Sequence, residues 1–352
     1  MATVYDFTAK TIDGKDYRNE YCWIYTCRDG RIARLVEEER VDLLHVRSRA
    51  PAWSALWAAR RTGRPLVATY HGAYETKSAL KRFYNSAMVR ADRVIANSAY
   101  TAKSVSAQYR FDRGKLRTIP RGADLDVFNP SLVSPARGAA LACWGSDNRG
   151  PCLKLVLPAR LTFWKGQDAA VAAVALLKKR RVGATGIPPF LRLILVGDAQ
   201  GAGDFEGRLR REIKDRGVED MVGLVGHCAD MPAAYSWADG VLSPATLPEA
   251  FGRVAVEAGA MMKPVIASDL GGQRETVIDG VTGYLTPPGD AEALADAIEE
   301  LHRLGASGRA EMGARARAHV EANFSAERMR RRVSSTVRPV AMQPRTSGQS
   351  AE

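Results

Sequence analysis

Gly240-Val-Leu-Ser243, Pro248-Glu-Ala-Phe-Gly-Arg-Val-Ala-Val-Glu257 and Pro264-Val-Ile-Ala-Ser268 follow one another within 29 residues, and this stretch decides the fold. A short apolar run leads into a loop carrying a carboxylate. An amphipathic helical pattern and a second apolar run follow. Strand, helix and strand in this order, with strands apolar along their length, imply a parallel sheet with a crossover helix.

The same alternation extends in both directions. Candidate strands lie at 41–46, 65–70, 93–96 and 116–120. After a polar break at 145–150 they recur at 153–158, 191–196, 221–225, 240–243, 264–268 and 283–285. Helical patterns fall at 31–40, 78–90, 168–180, 206–216, 251–261, 291–304 and 307–322. Two such series imply an α/β protein with two doubly wound, Rossmann-like domains facing a cleft. The expected domains are 31–150 and 151–327, preceded by an atypical segment, 1–30, and followed by a loose, basic and Ser/Thr/Pro-rich tail, 328–352.

Bulk properties agree with this reading. The chain has 352 residues, 46% hydrophobic and 26% charged, and is too long for one compact core. Those values exclude wholesale disorder and collagen-like or disulfide-scaffold proteins. The longest purely apolar run, 169–177, is far short of a membrane span. No hydrophobic signal core occurs in the first thirty residues, so a cytoplasmic protein is expected. The five cysteines, at 22, 27, 143, 152 and 228, form no CxxC pair and lack histidines at metal-ligand spacing. Reduced thiols are expected. The net charge is +12, and most of the excess falls in residues 31–150. A solvated face is the bland explanation. An anionic membrane or a phosphorylated substrate is the sharper one. Nucleic acid is not expected, because no helix-turn-helix, zinc or aromatic-stacking signature accompanies the charge.

Three segments carry candidate chemistry. In the 248–257 stretch, Glu249 falls at the sheet's C-terminal edge and Glu257 about two turns into the helix. Between them the helix start offers amides at Phe251 and Gly252, suited to an anion or to sugar oxygens. Alone, two glutamates near a helix are as often a solvated face. In Leu157-Pro-Ala-Arg160-Leu-Thr-Phe-Trp-Lys165-Gly-Gln167, two cations follow a strand end, where they can clamp a diphosphate. Ordinary surface charge is the competing reading. In Ala68-Thr-Tyr-His71-Gly72, a histidine at a strand end can hydrogen-bond a hydroxyl, although a lone histidine is more often structural. Asp124-Leu-Asp126 reads as a turn. Gly201-x-Gly203 with Gly207 misses dinucleotide spacing, and His227-Cys228 lacks further ligands. His45, His302 and His319 read as structural or exposed.

Together with Asp92-Arg-Val-Ile-Ala-Asn-Ser98, Ile119-Pro-Arg-Gly-Ala-Asp124, Val225-Gly-His-Cys-Ala-Asp230 and Gly271-Gly-Gln-Arg-Glu275, these segments resemble the family-4 retaining glycosyltransferases of GT-B architecture. The flavour is that of bacterial lipopolysaccharide-core and cell-surface glycan enzymes. The resemblance runs from about Arg31 to Arg328. It implies transfer of a sugar from a nucleotide-diphospho-sugar to a glycan or lipid-linked acceptor, at the inner face of the membrane. It also implies roles. Arg160 and Lys165 would hold the pyrophosphate. Glu257 would accept from the ribose hydroxyls. Glu249, with Phe251 and Gly252, would meet the donor sugar. His71 would lie near the reacting carbon, and Val225 and Gly226 would edge the base pocket. No metal and no further cofactor are expected.

One departure accompanies the match. The family opens with a strand, a glycine-rich loop, a helix and a second strand. Here residues 1–16 instead look like the opening strands of a glutathione-peroxidase-type chain, without that fold's catalytic context. A truncated first domain, with fewer strands and a compromised acceptor side, is the expectation. The alternative function is a degenerate, non-catalytic nucleotide-sugar or partner binder.

Overall fold

The computed structural model describes residues 2–10, 16–24, 41–72, 78–139, 141, 152–181, 191–199 and 204–342. They fall into two compact units. One takes its residues from 1–97, 101–119 and 332–352, the other from 98–100 and 120–331.

The first unit begins with an antiparallel hairpin of β1 (Ala2–Lys10) and β2 (Asp16–Ile24), with Ala2 opposite Ile24 and Lys10 opposite Asp16. Its main sheet is parallel, in the order β3 (Leu44–Val46), β4 (Leu66–Tyr70), β5 (Arg93–Ala96) and β6 (Leu116–Thr118). All five residues of β4 are buried, as in a central strand covered on both faces. The helices are α1 (Ala52–Thr62), α2 (Ala79–Asn85) and α3 (Ala99–Gln108).

Two features here differ from the sequence reading. The helix expected over 78–90 ends at Asn85 and gives way to a 3-10 turn, Met88–Arg90. The cause is local: the Ser86 hydroxyl donates to the Phe83 carbonyl at 2.7 Å, in competition with the helical ladder. Helix α1 was not expected. Its buried face is mostly alanine (Ala52, Ala55, Leu56, Ala58, Ala59), so the 3.6-residue period carries little hydrophobic contrast. The helix expected over 31–40 lies outside the described residues.

The second unit is a six-stranded parallel sheet. Its strands are β7 (Leu153–Pro158), β8 (Leu191–Val196), β9 (Val222–Leu224), β10 (Gly240–Ser243), β11 (Val265–Ser268) and β12 (Gly283–Thr286). Spatially they run β12-β11-β10-β7-β8-β9. Around them lie α4 (Pro135–Ala139), α5 (Gln167–Arg181), α6 (Phe205–Asp215), α7 (Met231–Trp237) and α8 (Arg253–Ala260). Further on come α9 (Gln273–Thr276), α10 (Ala291–Arg303), α11 (Gly305–Asn323) and α12 (Ala326–Ala341). One core joins Leu153, Leu155 and Leu157 of β7 to Val171, Val174 and Leu177 of α5 and to Leu294, Ile298 and Leu301 of α10.

Residues 120–141, assigned from sequence to the first domain, go with the second unit. Phe128, Val133 and Leu141 pack with its core residues. Beyond Arg328, where a loose tail was expected, α12 continues to Ala341. Val340 is its one buried residue, and Arg332 donates to the Thr118 carbonyl at 2.8 Å. So sparse an apolar face leaves no amphipathic period to read.

Candidate active site

In the second unit, winding runs from β7 outward through β8 to β9, then restarts beside β7 at β10 and runs the other way. Such a reversal opens a crevice outside the carboxyl ends of the two strands that flank it. Those strands are β7 and β10. The loop after β7 carries Arg160 and Lys165, and the loop after β10 carries Glu249. Six of the eight residues expected to form the donor half follow these two strand ends or begin α8, and the other two, Val225 and Gly226, follow β9.

The two loops are held against each other by backbone contacts. The Thr246 amide donates to the Trp164 carbonyl at 2.8 Å. At Gly166, φ is +75°, and a Cβ would stand 1.9 Å from the Pro244 carbonyl oxygen. Only glycine meets both conditions. Gln167, fully buried at the start of α5, donates from Nε2 to the Arg160 carbonyl at 2.8 Å and ties the loop at its base.

Across this junction Lys165 Nζ donates to Glu249 Oε1 at 2.6 Å, with the two side chains 16% and 12% exposed. The ammonium also lies 4.4 Å from the centre of the Trp164 ring. Arg160, five residues earlier in the same loop, is exposed. A cavity of about 410 Å³ lies on this loop, lined by Thr162, Phe163 and Trp164 together with Asp204, Phe205 and Arg208 and by none of the candidate site residues.

Glu249 is fixed from behind. Its carbonyl accepts from the Gly272 amide at 2.7 Å, and a Cβ on Gly271 would come within 2.5 Å of the same oxygen. The Ser98 hydroxyl donates to the Ala250 carbonyl. At the end of β10, buried Gln273 donates to the Ser243 carbonyl at 2.9 Å and to its hydroxyl at 2.7 Å. Phe251 is buried edge-to-face on Phe324, with centroids 5.7 Å apart. Gly252 has φ +85° and precedes α8, placing the Phe251 and Gly252 amides before the first helical turn, where intrahelical acceptors run out.

Glu257 is the fifth residue of α8, a little over one turn in. It accepts from the fully buried Tyr235 hydroxyl at 2.9 Å and pairs with Arg253 Nε at 3.0 Å. Burial raises its carboxyl above the ordinary glutamate value. Arg253, the Tyr235 hydrogen bond and Arg121 oppose that shift. Burial and the neighbouring carboxylate push the Tyr235 phenol well up, so it stays a donor. Val225 and Gly226 directly follow β9. Their amide and carbonyl bond the Leu195 carbonyl (3.2 Å) and the Gly197 amide (2.8 Å) at the exit of β8.

His71 belongs to the first unit, one residue past the end of β4. Its Nε2 accepts from Arg47 Nε at 3.2 Å, and its carbonyl accepts from Asn97 at 3.4 Å. Asp124 forms the expected turn, accepting from the Asp126 amide at 3.0 Å. Cys152 and Cys228 are free thiols. No cluster of three or more potential metal ligands occurs among the described residues. Residues 201–203 and Cys22, Cys27 and Cys143 carry no described side chains.

Comparison with known proteins decides the family. The profile "Glycosyl transferases group 1" matches residues 151–319, and "Glycosyltransferase Family 4" matches residues 17–127. A D-inositol 3-phosphate glycosyltransferase of Arthrobacter sp. (strain FB24) is 30% identical over 83% of this chain and 69% of its own length. The chain belongs to the group 1 glycosyltransferases. A second D-inositol 3-phosphate glycosyltransferase, from Paenarthrobacter aurescens (strain TC1), is 32% identical over 66% of the chain but only 53% of its own length. Among solved structures, a glycosyltransferase from Rickettsia africae aligns at TM-score 0.81 and 30% identity, covering 89% of this chain and 80% of that one. Anabaena Alr3699/HepE, solved with UDP and glucose, aligns at 0.75 and 27% identity, covering 87% and 80%. This glycosyltransferase therefore has the two parallel-sheet α/β domains of the GT-B fold.

Several supporting residues of the transferase were not singled out from sequence. Tyr235 bonds Glu257, Gln273 bonds Ser243 and Ser98 bonds the Ala250 carbonyl, 22, 30 and 152 positions away, separations that no local pattern encodes. Trp164 stood inside a quoted motif but had no role until its ring met Lys165.

Proposed function

We propose that this glycosyltransferase moves a sugar from a nucleotide-diphospho-sugar, of the UDP type, to a hydroxyl on a phosphate-bearing or lipid-linked acceptor, with retention at the anomeric carbon. The observation that carries the proposal is the Lys165–Glu249 pair across the β7/β10 reversal, with Glu257 one helical turn further on. The donor's pyrophosphate takes the charge of Lys165 and Arg160, and the sugar hydroxyls donate to Glu249. The Phe251 and Gly252 amides add uncharged donors. The ribose hydroxyls donate to Glu257, whose carboxylate has lone pairs beyond those engaged by Tyr235 and Arg253.

In the transfer step the bond between the anomeric carbon and the phosphate oxygen breaks, and the nucleoside diphosphate leaves. The acceptor oxygen bonds the same face of that carbon, and its proton passes to the departing phosphate oxygen. Charge grows on the leaving group, where Lys165 and Arg160 stabilise it most at the transition state. No metal is needed for this, because the cations are side chains.

UDP-bound Anabaena Alr3699/HepE supports the donor class, and the two D-inositol 3-phosphate transferases support a phosphorylated acceptor. The basic excess fits such an acceptor and an anionic membrane surface at the cytoplasmic inner face, in cell-surface glycan assembly. Neutralising Lys77, Lys81 and Arg82 is the matching vesicle test; Lys77 lies outside the described residues.

Release of UDP from UDP-sugars, with product anomers assigned by NMR, tests the whole reading. Lys165→Ala is expected to lower kcat by roughly a hundredfold or more. An inverted anomer would overturn retention. UDP binding without turnover on any acceptor would favour the degenerate-binder alternative.

A further inference from the structure

The first unit holds a second cavity, about 560 Å³, away from the C-terminal strand edge that carries His71. Arg90 comes just before β5, and Arg110 lies in the α3–β6 connection, so the cavity sits at the N-terminal ends of the strands. Arg82, Arg90 and Arg110 line it, and no aspartate or glutamate does. None of the three arginines has an ion pair among the described residues. Arg137, Arg180, Arg216 and Arg274, by contrast, each pair with a carboxylate. Arg90 is braced for a ligand, its guanidinium 5.5 Å from the Trp53 ring and 5.9 Å from Phe83. Tyr109 also lines the cavity. Its hydroxyl faces the fully buried Asn85 side chain, and beyond each other the two have no hydrogen-bond partner among the described residues. Buried polar atoms without partners are costly, and three unpaired guanidinium groups around one hollow repel one another.

We propose that this cavity binds a phosphate group, held by Arg82, Arg90 and Arg110 with the Tyr109 hydroxyl as a further donor. An anion relieves the repulsion and gives the Tyr109 hydroxyl an acceptor, and guanidinium forks suit phosphate oxygens. The site is separate from the donor site, and the proposal does not depend on the identity of the donor. Phe83, which lines it, and Leu80 and Tyr84 of the same helix are exposed, a surface that suits a phosphate carried on a lipid as well as a soluble one.

The test uses the full chain and two probes. Inorganic phosphate is titrated calorimetrically, and vesicles of phosphatidylcholine with or without phosphatidylglycerol are used in co-sedimentation. The variant Arg82→Gln/Arg110→Gln is compared with Arg216→Gln/Arg303→Gln, which removes the same charge from paired positions elsewhere. The cavity variant is expected to lose roughly tenfold or more in phosphate affinity, or in retention on anionic vesicles, and the control to lose neither. Loss with inorganic phosphate identifies a soluble ligand, and loss on vesicles alone a lipid headgroup. Equal behaviour of the two variants with both probes, or no binding of either probe by the parent, would overturn the proposal. The substituted arginines are exposed, so folding is preserved, and unchanged melting curves check this.

Discussion

At the scale of single residues, Glu257 has conflicting demands. Its carboxyl is raised by burial, so near neutral pH the folded state carries an ionised group in a poorly solvated place. A raised folded value means that the native state still holds a proton at a pH where the unfolded chain has released it. The stability this group contributes is therefore present at low pH and lost as pH rises through the raised value. Glu257→Gln is accordingly expected to keep or raise Tm at neutral pH, a gain that fades toward about pH 4. The same change removes a charged acceptor from the ribose position and should weaken UDP binding by roughly tenfold. In the parent, UDP affinity is expected to start falling on acidification at a higher pH than an ordinary glutamate would cause, and by more than in the Gln variant, which keeps only the change due to the phosphate of UDP itself. Calorimetry across pH would show this; a flat parent profile contradicts the assignment of Glu257 to ribose. Gly166 makes a second residue-scale case. Gly166→Ala imposes both a left-handed φ and a clash with the Pro244 carbonyl, and should cost well over about 1 kcal/mol in urea unfolding, with loss of UDP affinity as the two strand exits move apart.

At the scale of elements, the sequence revealed strands better than helices. β5 and β10 appear where their apolar runs placed them, since a buried parallel strand is a continuous apolar segment. Helix α1 was hidden by its alanines, and α12 by having a single buried residue. The order β12-β11-β10-β7-β8-β9 joins segments up to eighty-odd residues apart, and the local pattern constrains only that the strands are parallel. The charged candidates were legible because each followed an apolar run. Their partners were not, because Tyr235 reaches Glu257, and Gln273 reaches Ser243, only through the packed sheet. Helix α7 shows what an end residue contributes. Asp230 accepts from the Ala233 amide at 3.1 Å and pairs with Arg137 at 2.6 Å, and Arg137 holds its carboxyl below the usual range. Asp230→Asn retains the cap and loses the pair. Asp230→Ala loses both, and should be less stable than the Asn variant by about 1 kcal/mol. Equal denaturation midpoints for the two variants would show that the cap contributes nothing.

At the scale of the whole molecule, the described residues of each unit build cores of their own, the first around β4 and α1 and the largest of the second around β7, α5 and α10. Leu66 is buried in the first and Leu155 in the second. Truncating either to alanine removes packed methyl groups and leaves a void, at about 2–5 kcal/mol. If the two units unfold as separate cooperative bodies, Leu66→Ala lowers one calorimetric transition and Leu155→Ala the other. UDP binds the native state of the second unit under the proposed function. At a hundred times its Kd it should stabilise that unit by about 2.7 kcal/mol. The nucleotide is therefore expected to raise the transition that Leu155→Ala lowers and to leave the one that Leu66→Ala lowers in place. Differential scanning calorimetry of the parent and the two variants, each with and without UDP, separates the possibilities. A single transition lowered by both substitutions and raised by UDP would mean that the units unfold as one body, even though their cores share no residue.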